Sequence, residues 1–124
     1  MIGLKEALII HSILIEQFGG SQGLRDEGLL DSALKRPYVT FDNQELYIHP
    51  ADKAAALLES ILINHPFVDG NKRTGYVLMR IMLLENGFDI QATQAEKYNF
   101  VIKIASGEMN IASIKEWIFS HLIK

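Results

Sequence analysis

The sequence predicts a single all-α domain, a compact bundle of about six helices with one irregular segment. Three observations carry that reading. Apolar residues recur at helical spacing over most of the chain, glycines, prolines and capping side chains punctuate the helical stretches, and only residues 37–50 lack the rhythm. The 124 residues are 48% hydrophobic and 22% charged, which suffices for one core and is too apolar for disorder. Residues 1–124 are therefore expected to form one domain.

The first predicted helix runs from Leu4 to Phe18, with Leu4, Ala7, Leu8, Leu14, Ile15 and Phe18 in register. Gly19-Gly20 ends it. His11 falls on the apolar stripe and reads as a hydrogen-bonded core histidine, because unpaired buried polar groups are rare. Residues 19–25 form a glycine-rich loop. Asp26 then stands where it can cap a short helix carrying Leu29, Leu30, Ala33 and Leu34, closed by Pro37. Arg25 and Arg36 read as surface or loop-bracing residues. In the segment 37–50, Tyr38, Val39, Thr40 and Phe41 have strand character and Asp42-Asn43 is a turn signal, which suggests a small hairpin. His49 precedes Pro50 and is expected to be extended and exposed.

From Ala51 to Asn64 the chain reads as a helix with Ala54, Ala55, Leu58, Ile61 and Leu62 on one face. The next, from Asn71 to Glu85, has almost no polar face and is expected to be the buried central helix. Asn86-Gly87 stops it. Thr93 and Glu96 make a capping box for a helix to about Ser106, with Tyr98, Val101, Ile102 and Ala105 facing inward. Gly107 breaks that helix. Asn110 caps a last one with Ile111, Ile114, Ile118 and Leu122 in register, flanked by Trp117 and Phe119 as packing groups.

Between the two most apolar helices lies Asn64-His65-Pro66-Phe67-Val68-Asp69-Gly70-Asn71-Lys72-Arg73-Thr74-Gly75. A turn that merely reversed the chain would not need this inventory. Gly70 permits a tight turn and a close approach to a ligand. Asn71 reads as an N-cap that leaves the amides after it free at the positive end of a helix dipole, where phosphate binds. Lys72 and Arg73 add a point charge and a planar fork. Asp69 would repel a bare phosphate, but a bridging Mg²⁺ takes one or two carboxylates together with phosphate oxygens. His65 supplies a base with an ordinary pKa of about 6.5. The set asks for a phosphorylated, metal-bound ligand and a proton to be removed.

Other chemistries fit less well. A net charge of −3 provides no general cationic surface, so no direct DNA binding and no membrane binding are expected. The chain has no cysteine, which excludes disulfides, thiolate catalysis and Cys-type zinc sites. Met1 to Gly3 lead straight into the first helix without a signal-peptide layout, and no apolar run is long enough to span a bilayer, so a cytoplasmic protein is expected. A Walker-type phosphate loop needs a strand before it and Gly-Lys-Ser/Thr, whereas here Arg73 separates Lys72 from Thr74. No His-Glu-x-x-His occurs, and His65 with Asp69 alone makes a weak metal pair.

The run from His65 to Thr74 closely resembles the signature of the Fic/Doc superfamily, and within it the death-on-curing (Doc) branch. Gly19-Gly20-Ser21-x-Gly23-Leu24-Arg25-Asp26-x-Gly28-Leu29-Leu30, Ala33-Leu34-x-Arg36-Pro37 and Lys53-Ala54-Ala55-Ala56-Leu57-Leu58 resemble the same branch. The resemblance implies an all-helical fold with a β-hairpin flap beside the site. It implies His65 as general base on a target hydroxyl, Asp69 as the Mg²⁺ ligand, and Gly70, Asn71, Lys72 and Arg73 as the cradle for the phosphates of ATP. Phe67 would anchor the loop in the core. Family members that transfer AMP usually read His-x-Phe-x-Asp/Glu-Gly-Asn-Gly-Arg-x-x-Arg. Lys72 here replaces the second glycine, and Tyr76 replaces the last arginine. In the Doc branch such changes accompany an inverted nucleotide and transfer of the γ-phosphoryl group to a threonine of translation elongation factor Tu, which makes the protein a toxin. The inhibitory motif Ser/Thr-x-x-x-Glu-Gly/Asn of self-restrained members is not found in the sequence, so the resemblance implies a separate Phd-like antitoxin. AMP transfer, or a non-catalytic helical binding protein, are the alternatives. Intact His65 and Asp69 speak against the latter.

Overall fold

A computed structural model describes all 124 residues. Six helices form: α1 (Leu4–Phe18), α2 (Glu27–Lys35), α3 (Pro50–Asn64), α4 (Asn71–Glu85), α5 (Gln94–Ala105) and α6 (Ile111–Ser120). Between α2 and α3 come a 3-10 turn, Arg36–Tyr38, and an antiparallel hairpin of β1 (Thr40–Phe41) and β2 (Gln44–Glu45). A second antiparallel pair, β3 (Asp89–Ile90) with β4 (Leu122–Ile123), ties the last residues back to the exit of α4. No helix is long and apolar enough to cross a membrane.

The helix starts follow local chemistry. Asp26 accepts the amide of Leu29, Thr93 that of Glu96, and Asn110 that of Ser113. Pro37 ends α2 at Lys35 by sitting inside the 3-10 turn, where its fixed φ is compatible. Asp42 and Asn43 both take positive φ, 54° and 63°, the backbone of a tight hairpin turn whose twist matches its strands.

The centre of the bundle is α3, not α4. Nine of its fifteen residues are buried, and it packs against α2, α4, α5 and α6. Alanines at 51, 54, 55 and 56 let the neighbours approach closely. α4 keeps Tyr76 and Val77 only half-buried, because its apolar girth serves a groove wall as well as the core. Where α3 and α4 touch, a Cβ on Gly75 would fall 2.6 Å from Leu62 Cδ1, so only glycine allows this separation without a shift. α5 is rotated from the predicted face: Phe100 and Ile104 enter the core, while Tyr98 is 65% exposed and Ile102 37%. Trp117 packs as expected, stacked on Phe100 with centroids 3.7 Å apart.

The hairpin stands on two half-buried cations. Lys53 of α3 donates to the carbonyl of Tyr47 and pairs with Glu45 at 2.8 Å. Arg36 donates to the Tyr47 hydroxyl and to Ser60, and pairs with Glu59 at 2.9 Å. His49 is extended as expected but half-buried rather than exposed. Its Nδ1 accepts the Ala51 amide, capping α3, and its ring lies between Phe88 and Phe119. Those aromatic neighbours come from far along the chain, beyond the reach of local pattern.

Candidate active site

The loop joining α3 to α4 has an inner wall and an outer one. On the inner wall, Phe67 is 1% exposed and stacks on His11 with centroids 3.9 Å apart and planes 4° from parallel. His11 Nε2 donates to the carbonyl of Asp69 at 2.8 Å, so it is the hydrogen-bonded core histidine the sequence suggested. Asn71 also turns inward. Its Oδ1 accepts the Phe67 amide at 3.0 Å and its Nδ2 donates to the Phe67 carbonyl at 2.9 Å. Asn71 is therefore not the N-cap of α4. Gly70 takes that place with φ 73°, and the left-handed turn swings the next side chain back over the loop.

The outer wall carries exposed polar and charged side chains. His65 ends α3 in the left-handed region (φ 49°, ψ 62°), and its exposed ring has no hydrogen bond within the chain. Asp69 is exposed; its Oδ2 accepts the Ser21 amide at 3.0 Å and its Oδ1 the Gly70 amide at 2.8 Å. The Ser21 bond, then the Gly70 bond, hold this carboxyl below the ordinary carboxylate range, with desolvation opposing and the nearby Arg73 charge assisting. Lys72 and Arg73 are exposed on the first turn of α4, and the Arg73 guanidinium lies 4.8 Å from the Phe18 ring centroid. The amides of Asn71, Lys72 and Arg73 donate to no acceptor in the chain. Free amides, two cations and a helix N-terminus make a site suited to an anion.

The predicted residues His65, Asp69, Gly70, Lys72 and Arg73 thus share one end of the α3–α4 pair, while Asn71 contributes its backbone outward and its side chain inward. The Asp69 carboxylate fits Mg²⁺, since it is anionic, exposed, and each oxygen accepts only one bond. Residues 20–26 run along the motif loop; the sequence suggested a loop-bracing Arg25, but not the parts of Gly20, Ser21 and Leu24. Ser21 holds Asp69, Leu24 forms a bridge with Phe67, and Arg25 reaches the carbonyls of Asn64 and His65. A Cβ on Gly20 would fall 2.8 Å from Asp69 Oδ2, so the glycine permits this approach. The density of glycines was the only local sign of the Gly20 and Ser21 contribution.

Beside the site, α1, α4 and α5 enclose an open groove of about 600 Å³. Phe18, Tyr76, Val77 and Tyr98 give it apolar walls, and Lys72, Arg73, Arg80 and Lys97 line it with positive charge. Burial pushes the Tyr76 phenol up to about 12, and its buried hydroxyl has no hydrogen-bond partner. Arg80 is held by a bidentate pair with Asp89 at 2.8 and 2.7 Å.

Comparison of the sequence with known proteins points to one family. Residues 2–83 match the Fic/DOC family, and the chain belongs to it. It is 47% identical over 75 residues to the "Toxin Doc" of Mycolicibacterium smegmatis, a stretch covering 60% of this chain and 58% of that protein. It is 37% identical over 62 residues to the "Protein adenylyltransferase Fic" of Drosophila virilis and to that of Drosophila melanogaster, covering 48% of this chain and 13% of each of those proteins. The matched stretch spans little more than half of the mycobacterial toxin and a small part of the fly proteins.

Proposed function

We propose that this chain is a toxin of the Doc type that transfers the γ-phosphoryl group of ATP to a hydroxyl of a target protein, with translation elongation factor Tu as the target. The observation that carries the choice is Lys72, which stands exposed among the free first-turn amides of α4, where AMP-transferring relatives leave room with a glycine. In this reading Lys72, Arg73 and the three amides hold the phosphates and neutralise charge as it shifts. His65 takes the proton of the attacking hydroxyl. A bond forms between the target oxygen and the γ-phosphorus, the bond to the β-phosphate oxygen breaks, and ADP leaves. Asp69 would hold Mg²⁺, which when bound supplies positive charge at the phosphate oxygens. Similarity to a protein named as a toxin supports the biological role.

A toxin of this kind needs restraint, and the groove along α1, α4 and α5 suits it. Lys72, Arg73 and Lys97, around exposed Phe18 and Tyr98, complement an acidic amphipathic helix, the form expected of a Phd-like antitoxin tail. A helix seated there would cover Lys72 and Arg73. AMP transfer remains the second reading, favoured by the likeness to the adenylyltransferases.

Label transfer from ATP into a cell lysate tests the proposal, with His65→Ala protein as the blank. Label from γ-labelled ATP alone, in a band the size of the elongation factor, is the expected outcome. Label from the α position would instead mean AMP transfer, and none from either would remove the enzymatic reading.

A further inference from the structure

His65 is aimed by its backbone. Its ring has no hydrogen bond within the chain, and its φ of 49° is one that side chains other than glycine seldom adopt. Something must hold that conformation. One intrahelical bond reaches it, from the His65 amide to the Ile61 carbonyl at 3.1 Å, but the last carbonyls of α3 lie beyond the helical ladder.

The segment 23–26 supplies what the helix lacks. The amides of Arg25 and Asp26 donate to the Pro66 carbonyl at 2.8 and 3.0 Å, and the Val68 amide donates to the Gly23 carbonyl at 3.0 Å. The Arg25 side chain continues the row. Its Nε donates to the His65 carbonyl at 2.6 Å and its Nη2 to the Asn64 carbonyl at 2.5 Å. Carbonyls of three successive residues, Asn64, His65 and Pro66, are thus held by one neighbouring strand of chain. Arg25 is the side chain that reaches the first two. It is exposed, and both of its hydrogen bonds go to the end of α3, where a cation also suits the helix dipole.

We propose that Arg25 is a positioning residue for His65: its planar fork fixes the left-handed end of α3 and so the direction of the imidazole. The inference rests on the proposed role of His65 as general base. It does not require Arg25 to touch substrate.

The test uses the full chain as wild type, Arg25→Ala, Arg25→Lys, His65→Ala and the double variant Arg25→Ala/His65→Ala. Arg25→Ala is expected to lower kcat for γ-phosphoryl transfer by roughly ten- to a hundredfold, the cost of misplacing a reacting group. Its KM for ATP should stay within roughly twofold, since nucleotide binding is not its task. Arg25→Lys should regain part of the rate, because an ammonium can still hold one carbonyl. Added to His65→Ala, the Arg25 change should cost nothing further, as two residues acting through one step are not additive.

A second readout needs no activity. In ¹⁵N relaxation, the amide of His65 should lose order in Arg25→Ala, falling from about 0.85 toward 0.6 or below. If the wild type transfers no label, the proposed function fails, yet the relaxation still decides on Arg25. An unchanged kcat in Arg25→Ala, a raised KM for ATP with kcat intact, or a His65 as rigid as in the wild type each overturns the inference. Should Arg25→Ala not fold, Arg25→Lys and Arg25→Gln carry the same comparisons.

Discussion

Within the same short loop, Phe67 and Asn71 turn into the protein while His65, Asp69, Lys72 and Arg73 turn out of it. The inward pair has no capacity left over. Phe67 is sealed against His11, and both ends of the Asn71 amide are bonded to the Phe67 backbone. The outward group keeps its capacity. The His65 ring has no partner, each Asp69 oxygen accepts one amide, and the first-turn amides of α4 have no acceptor in the chain. The difference separates two jobs that sit side by side in sequence: one wall sets the shape, and the other presents the chemistry. Substitutions should therefore divide by direction, not by distance from the motif.

The largest effect is expected on the inner wall. Phe67→Ala should cost about 3–5 kcal/mol, the usual penalty for emptying a buried aromatic site, and a urea melt would show it. A cost below about 1 kcal/mol would mean that the loop holds its shape without the stack. On the outer wall His65→Ala should do the reverse, lowering transfer by roughly 10²–10⁴-fold. Its urea midpoint should shift by no more than about 0.5 kcal/mol of stability. Next comes Asn71→Ala, which leaves the amide and carbonyl of Phe67 unpaired in a buried place. A loss of about 1–3 kcal/mol is expected, read in the same melts.

The smallest effect belongs to Asp69 and appears only in acid. Its carboxyl titrates below its ordinary 3.8 in the folded chain, so the folded state favours the anion. That contribution is fully present above the unfolded value and is lost as pH falls through the lower, folded one. Thermal melts below about pH 4 should thus fall more steeply for the wild type than for Asp69→Asn. Parallel curves would mean that the Ser21 and Gly70 amides do not favour the charged form.

Much of this was legible in the sequence, and the exceptions share a cause. Helical spacing and capping residues placed all six helices, and Asp42-Asn43 announced the hairpin turn. The inventory from His65 to Arg73 marked a candidate site, and the structure places those residues at one end of the α3–α4 pair. What failed depended on contacts far along the chain or on the rotation of an element. Asn71 looked like a cap because asparagine usually is one before a helix; the left-handed Gly70 diverted it to Phe67. His49 looked exposed because its aromatic neighbours, Phe88 and Phe119, lie about 40 and 70 positions later. Tyr98 looked buried because periodicity gives a stripe without saying which neighbour it faces. The pairing of β3 with β4 is long-range for the same reason, and so is the partner of Arg25, whose loop-bracing role was expected but whose grip on the end of α3 was not.

The most direct test of the division between the two walls is to measure urea stability and γ-phosphoryl transfer on the same preparations of His65→Ala and Asn71→Ala. His65→Ala is expected to melt with the wild type and transfer roughly 10²–10⁴-fold more slowly. Asn71→Ala is expected to melt early while its folded fraction still transfers. A His65→Ala protein that melts early, or that transfers label at the wild-type rate, would contradict the assignment of His65 to chemistry alone.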